Sequence, residues 1–462
     1  MADSAFLPLP FYLCLIAAFV TARQAWDARN KGWGIPMLAV IFSACVWYPG
    51  DAIYNNYTEY VSLLGEAPLV DAWWQVLLFF VSFGLLVPNI NHRINRKLER
   101  TESHVIGMIK DNTIDRNEFQ KQISSIAVLI LIPWILLMIV ALARTQFDFI
   151  GLFFPYLGLK ADPWNRTRLG GGIDSLLALA GYLQIMLTAL FGICLALSKR
   201  LHIQILTGAV YFLAVPFYVF DRTRNSMLAV LIPGFMAFVT FRIHRSLTIK
   251  LVVMFLGLFL LQGWMKFVIE NRDKASIVEA YQHGGTQDIE VKSQKHLGLN
   301  MLEELGFINY FIANGTYNVN WGKRYFAELV NPIPRVIWKN KPLIGIDYAI
   351  ARGMAYGNQD AANGGVAASI STGMIGQGVV NFGRFLGPVA AALLMALWVA
   401  ILARQDLMSH DIAHLLLYAI GLVLTFNMGR DITLLVIYPF IFGWALLKIF
   451  DSGREKFHIH ET

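Results

Sequence analysis

Runs of about twenty apolar residues recur along this chain, and they leave little choice of fold. One such run, as a helix, crosses a hydrocarbon core of ~30 Å. Lipid offers the backbone no hydrogen-bond partners, so a spanning segment must satisfy its own N–H and C=O groups. The runs are continuous rather than alternating, which argues against a barrel. The pattern predicts an all-α polytopic membrane protein, a single integral membrane domain over 1–462. Eleven spans are expected, at roughly 5–22, 34–50, 72–90, 123–143, 173–197, 202–220, 226–243, 249–269, 386–403, 411–428 and 432–449. Only 15% of the residues are charged, where soluble domains carry about 25%.

Loop charges set the expected orientation. Loop 23–33 holds Arg23, Arg29 and Lys31, and loop 91–122 holds seven basic residues; both read as cytoplasmic. Loop 51–71 carries Asp51, Glu59, Glu66 and Asp71 and no basic residue. The N-terminus, 144–172 and the polar stretch 270–385 then lie outside, and the C-terminus inside. The net charge of +7 sits mostly in the cytoplasmic loops, so it reads as orientation and not as nucleic-acid binding. The basic loop 91–122 would face solvent or lipid headgroups. The first twenty residues lack a basic n-region, which disfavours a cleaved signal peptide. Cys14, Cys45 and Cys194 fall inside spans without metal-ligand spacing and read as small apolar residues.

Arginines on the outside run against this pattern. The short turn FDRTRNS carries Asp221, Arg222 and Arg224, and NMGRDIT carries Arg430 and Asp431. Ionisable groups at membrane ends are often functional; the bland alternative is that each arginine snorkels or pairs with its neighbouring aspartate. A guanidinium donates two parallel hydrogen bonds to one phosphate and keeps its charge, so converging arginines suit a lipid-linked diphosphate.

The stretch 270–385 holds eleven basic and ten acidic residues and is no simple basic patch. Within it lies NPIPRVIWKNKPLIG, 331–345, with prolines at 332, 334 and 342. Proline fixes φ and removes a donor, so a regular helix is excluded there. A rigid segment could present Arg335, Trp338 and Lys341, with Arg272, Arg352 and Asp347 nearby in the same stretch. Trp338, Tyr348 and Trp321 could stack on sugar faces or simply anchor at the interface. A Gly/Ser-rich segment follows and predicts a helix or re-entrant piece from about Ala367 to Phe382. Loop 144–172 reads either as a lipid entrance or as an interfacial anchor.

The ordered set RTRNSMLAV (222–230), IPRVIWKNKP (333–342), STGMIGQGVVNFG (371–383) and MGRDITLL (428–435) resembles the Wzy-type O-antigen and oligosaccharide repeat-unit polymerases. The resemblance covers about Asp221 to the last span. It implies a bacterial inner-membrane glycosyltransferase with a GT-C-like fold. Such an enzyme transfers a growing glycan from undecaprenyl diphosphate to the non-reducing end of another lipid-linked repeat unit, in the periplasm. It also implies catalytic roles for Arg222, Arg224, Arg335 and Arg430, and substrate contacts from Lys341, Trp338, Arg352, Asp347 and Arg272. No metal or other cofactor is expected, since no paired carboxylates open an outside loop and fixed cations can carry the leaving group's charge. Asp347, Glu303, Glu304, His283 and His296 are candidate bases. The expected partners are the lipid-linked oligosaccharide and membrane lipids, with a chain-length regulator left open. A lipid-linked polysaccharide ligase and a transporter or flippase of an anionic lipid-linked substrate remain alternatives.

Overall fold

The computed structural model describes residues 7–98, 101–104, 106–107, 117–157, 160–164, 174–220, 224–243, 247–270, 300–334, 336–342, 346–352, 370–408, 412–433 and 436–446. Every regular element among them is helical. The first half holds α1 (Leu9–Asp27), α2 (Gly34–Trp47), α3 (Pro49–Tyr54), α4 (Tyr57–Leu64), α5 (Glu66–Asn95), α6 (Asn117–Arg144), α7 (Phe149–Phe153), α8 (Asp174–Leu197) and α9 (Leu201–Val219). Then come α10 (Arg224–Phe241), α11 (Leu247–Glu270), α12 (Met301–Ala313), α13 (Lys323–Val330), α14 (Ile346–Ala351), α15 (Gly373–Leu407) and α16 (Ile412–Arg430), and finally α17 (Val436–Leu446).

Eight helical stretches are long and apolar enough to cross a membrane: Leu9–Asp27, Gly34–Tyr54, Glu66–Leu98, Asn117–Arg144, Leu176–Leu197, Leu201–Val219, Gly373–Leu407 and Ala413–Arg430. Shorter apolar helices, Ser226–Phe241, Thr248–Leu261 and Val436–Leu446, occupy three further positions where spans are expected.

The helices are apolar all round, and packing divides their faces. α1 buries Phe11, Cys14, Ala18, Thr21 and Ala25 and exposes Leu9, Tyr12, Ile16, Phe19 and Val20. Both sets recur every three or four residues, one face for the bundle and one for lipid. α6 repeats the pattern, with Ile130, Trp134, Met138 and Ala141 inside and Ile132, Leu136 and Ile139 outside.

α5 is the central pillar and packs against α1, α12 and α15. α8 organises a second group with α6, α9 and α10, and α16 joins the groups by touching α2, α10 and α15. Small residues permit the closest crossings: a Cβ on Gly234 would stand 3.0 Å from the Gly192 carbonyl carbon.

Hydrogen bonds sort the connections into two ends. At one end the Ser103 N–H donates to the Asn30 carbonyl, the Asn95 amide to Ala400, the Lys199 N–H to Gln120, and Arg242 Nε to Ala196. Arg29, Lys31, Arg93, Lys97, Lys121, Lys199 and Arg200 belong to this basic end. At the opposite end the Leu302 N–H donates to Asp51, Arg384 pairs with Asp71, and the Thr372 N–H donates to Asp431. The described connections thus gather at two ends, one of them carrying these basic residues.

The stretch 270–385 does not stand clear of the bundle in its described parts. α12 is buried between α5 and α15, with Glu303 and Glu304 only 1% and 2% exposed. Its first N–H groups find a cap far away in sequence, because Asp51 Oδ2 accepts from Leu302 and Glu303. Asp51 is itself held by Tyr60 and Asn55. The acidic loop 51–71 thus supplies a fixed carboxylate to the fold as well as an orientation signal.

α15 is a hairpin of two helical arms. Gly383, at φ 79°, breaks it into 373–382 and 384–407. A Cβ on Gly378 would lie 2.1 Å from the Gly387 carbonyl oxygen, so the first arm lies folded back against the second. Only glycine permits both the turn and this approach. The first arm starts beside Asp431, just after α16; the described part of the helix expected from about Ala367 to Phe382 begins at Gly373.

Candidate functional site

The first arm of α15 and the short helix α13 enclose a buried polar cluster at the end opposite the basic one. The Thr372 N–H and hydroxyl both donate to Asp431 Oδ1, at 3.2 and 3.4 Å. The Tyr48 hydroxyl accepts from the Ile375 N–H at 2.9 Å. Gln377 bonds both the N–H and the carbonyl of Ile432. Asn381 accepts from the Tyr325 N–H, and the Val380 carbonyl accepts from Asn320. The start of the arm, the end of α16 and the start of α13 are thereby one unit.

α13 is inside out. Its sequence KRYFAELV places Arg324 and Glu328 one turn apart, and both are buried, at 4% and 6% exposure. The exposed face bears Phe326 and Leu329, at 50% and 64% exposure, together with Lys323, while Ala327 and Val330 are buried beside the charged pair. Val336, Ile337 and Trp338 extend that exposed apolar surface, with the Trp338 ring edge-on to Phe326. A helix in water hides its apolar face, and α13 leaves part of its apolar surface exposed.

Arg324 is buried within this cluster. Among the described residues it makes one hydrogen bond, from Nη2 to the Ile370 carbonyl at 3.3 Å. Its Nε and Nη1 have no hydrogen-bond partner among the described residues. A buried charge is normally paired or bonded to ligand. Burial pushes the Glu328 carboxyl up to about 8, opposed by Arg324 and assisted by Asp431. Asp431 is also raised by burial, against the pull of Arg324, Ser371, Thr372 and Arg430. The guanidinium groups of Arg324 and Arg430 therefore act on one carboxylate.

A second cluster lies along α12. The two carboxylate oxygens of Glu304 take Nη2 and Nε of Arg352, at 3.0 and 3.3 Å, and the Tyr348 hydroxyl donates to the same group. The Arg352 guanidinium also lies 3.6 Å over the Phe307 ring. Burial, then Glu304, push Glu303 up to about 7, with Arg352 acting against them.

The sequence-predicted residues are placed unevenly. Arg222, Arg335, Arg272, His283 and His296 lie outside the described residues. Arg224 opens α10, which packs against α16, so its backbone belongs to the same end as Arg430. Arg430 ends α16 beside Asp431. Lys341 is not presented outward: it is buried, and its Nζ donates to the Asn331 and Ile333 carbonyls at 2.6 and 2.7 Å. It fastens the proline segment, which runs as successive turns and not as a helix. Arg352 is likewise committed, to Glu304. Asp347 is exposed and accepts from the Tyr317 hydroxyl at 2.6 Å. Trp338 stands partly exposed on the apolar outer face, away from Arg324. Sequence reasoning passed over Arg324 and Glu328 as site residues. The signal was the i,i+4 pair of opposite charges on a helix whose other face is aromatic and aliphatic.

Segment 144–164 is folded onto the bundle. Arg144 Nε donates to Pro163, Trp164 to Gln184, and Lys160 lies 4.1 Å over the Phe217 ring. A separate cavity of about 860 Å³ lies between α8, α9, α10 and α11. Its lining is apolar apart from Gln204, Tyr211 and Arg242, and Arg242 is bonded to the Ala196 and Ser198 carbonyls. No group of His, Cys, Asp and Glu able to hold a metal occurs among the described residues.

No family model, curated protein or solved structure matches this chain.

Proposed function

We propose that the protein is a bacterial inner-membrane polysaccharide polymerase of the Wzy type, with eleven spans, the N-terminus and the chamber on the periplasmic side and the C-terminus in the cytoplasm. The donor is a glycan on undecaprenyl diphosphate, and the acceptor is the non-reducing end of another lipid-linked repeat unit. The single observation that carries this reading is the inside-out helix α13. It buries Arg324, whose Nε and Nη1 have no hydrogen-bond partner among the described residues, and turns Phe326 and Leu329 outward. A lipid-linked diphosphate needs both environments at one depth: cations for its head and hydrocarbon for its tail.

In this reading Arg324 and Arg430 stabilise the negative charge that grows on the diphosphate as it leaves. Arg224 stands at the same end of the bundle, and Arg222, Arg335 and Arg272 remain members of the site by resemblance. Lys341 and Arg352 hold the walls and do not contact substrate. Asp431 orients the arginines and fixes the start of the re-entrant arm. Trp338 faces lipid or the lipid-proximal part of the substrate.

The test uses purified protein with defined lipid-linked repeat units, with products resolved by length. Products longer than two repeats are expected. Arg324→Ala should leave only single repeats at unchanged protein level, a loss of at least ~100-fold in rate, the size seen when one charge-stabilising donor is removed. Transfer to lipid A core without chain growth would make the protein a ligase instead. No turnover of the lipid-linked unit by the wild type would overturn the reading.

A further inference from the structure

Glu328 has no task in the reading above, yet α13 turns it inward beside Arg324. Among the described residues, several other carboxylates at this end are committed to partners. Glu304 is clamped by Arg352 and Tyr348, and Asp431 by Thr372. Asp51 caps α12, and Asp347 lies exposed against Tyr317. Glu303 adjoins Glu304 and Asp51, on the α12 side.

The charged groups acting on Glu328 are Arg324 from its own helix and Asp431 from the end of α16. Arg430 acts on that same Asp431. Residues four apart on a helix have Cβ atoms about 6 Å apart on one face. A long guanidinium and a shorter carboxyl at that spacing can address two sides of one reacting centre, the leaving diphosphate and the incoming hydroxyl. Burial holds the carboxyl near 8, where taking and releasing a proton at neutral pH both cost little.

We infer that Glu328 is the catalytic base that takes the proton from the acceptor sugar hydroxyl, an inference that rests on the polymerase reading. In the step, the acceptor oxygen bonds to the donor's anomeric carbon. The bond from that carbon to the diphosphate oxygen breaks, and its electron pair leaves with the diphosphate, facing Arg324 and Arg430. The hydroxyl proton moves to the ionised Glu328 and is then released to water. Atoms and charge balance without an added reactant.

The experiment is a pH–rate profile of purified wild type, Glu328→Gln and Glu328→Asp with lipid-linked repeat units. For the wild type, kcat should rise with pH through about 8 and level off above it. Glu328→Gln should lose kcat by at least ~100-fold and lose the rising limb. Its KM should stay within about threefold, since uniform binding is untouched. Glu328→Asp should recover part of the rate together with a pH-dependent limb. Should Glu328→Gln unfold, the Asp variant and its shifted limb carry the test. Wild-type kcat in Glu328→Gln, or an unchanged limb on its residual rate, would overturn the inference while leaving the polymerase reading intact. A wild type that forms no polymer at any pH would remove that reading and this inference together.

Discussion

Two arginines, Arg324 buried and Arg352 partly buried, stand at the same end of this molecule and are treated in opposite ways. Arg352 is saturated: Glu304 takes it with both oxygens, and Phe307 covers its face. Arg324 makes a single hydrogen bond to a carbonyl and leaves Nε and Nη1 without a partner among the described residues. The difference teaches how to separate a structural charge from one kept for a ligand. A paired charge tied to packed neighbours holds helices together, here α14 to α12. A buried charge whose donors have no partner among the described residues costs the fold more than a paired one. Residue type is the same for both; bonding state and depth of burial differ.

The contrast breaks most readily on stability. Arg352→Ala leaves Glu304 buried without its cation, and about 3 kcal/mol should be lost, the low end for a buried pair because the guanidinium keeps some exposure. Thermal unfolding in detergent checks this, with the double variant Arg352→Met, Glu304→Gln recovering most of the loss. Arg324→Met should show no comparable fall. Equal destabilisation of the two single variants would erase the distinction.

A smaller effect is expected at Lys341. Lys341→Met removes two hydrogen bonds to the Asn331 and Ile333 carbonyls, and about 1–3 kcal/mol should be lost locally. Limited proteolysis at 331–342 should speed up while the helical circular dichroism signal stays. If Lys341 instead touched substrate, binding of the lipid-linked unit would fall with no change in proteolysis.

A further contrast is in pH dependence. The folded protein keeps a proton on Glu328 up to about 8, whereas an unfolded chain loses it near ~4.3. Between these values the native state binds more protons, so stability falls as pH rises through the window and levels off above it. Melting temperatures across that range should decline in the wild type and decline less in Glu328→Gln. A slope untouched by the substitution would place the raised carboxyl elsewhere, with Glu303, at about 7, the next candidate.

Much of the architecture was legible without coordinates because the bilayer is a severe solvent. Apolar runs of span length must be helical, and the basic loops gather at one end for the same electrostatic reason in any such chain. The break near Phe382 was visible as a run of glycine and serine. The expected arginine turns were legible as exceptions to the charge pattern, yet only Arg430 is described with its side chain. Lys341 and Arg352 looked like substrate contacts because a cation in an outside loop has no obvious partner in sequence. Their partners, backbone carbonyls ten and eight residues back and a glutamate forty-eight residues away, exist only after folding.

The sequence by itself determined the class of fold, the alternation of loops between two ends and the segments too irregular to be spans. Each follows from local chemistry: hydropathy, backbone hydrogen bonding, proline and glycine geometry. The tertiary structure decided which charges face a chamber and which are spent on packing. That choice rests on α13 lying against the α15 arm with its polar side inward, on α12 being capped by Asp51 from another loop, and on Gly378 meeting Gly387. These are pairings between distant residues, and the energy of a buried charge is set by what surrounds it in space, not by its neighbours in the chain.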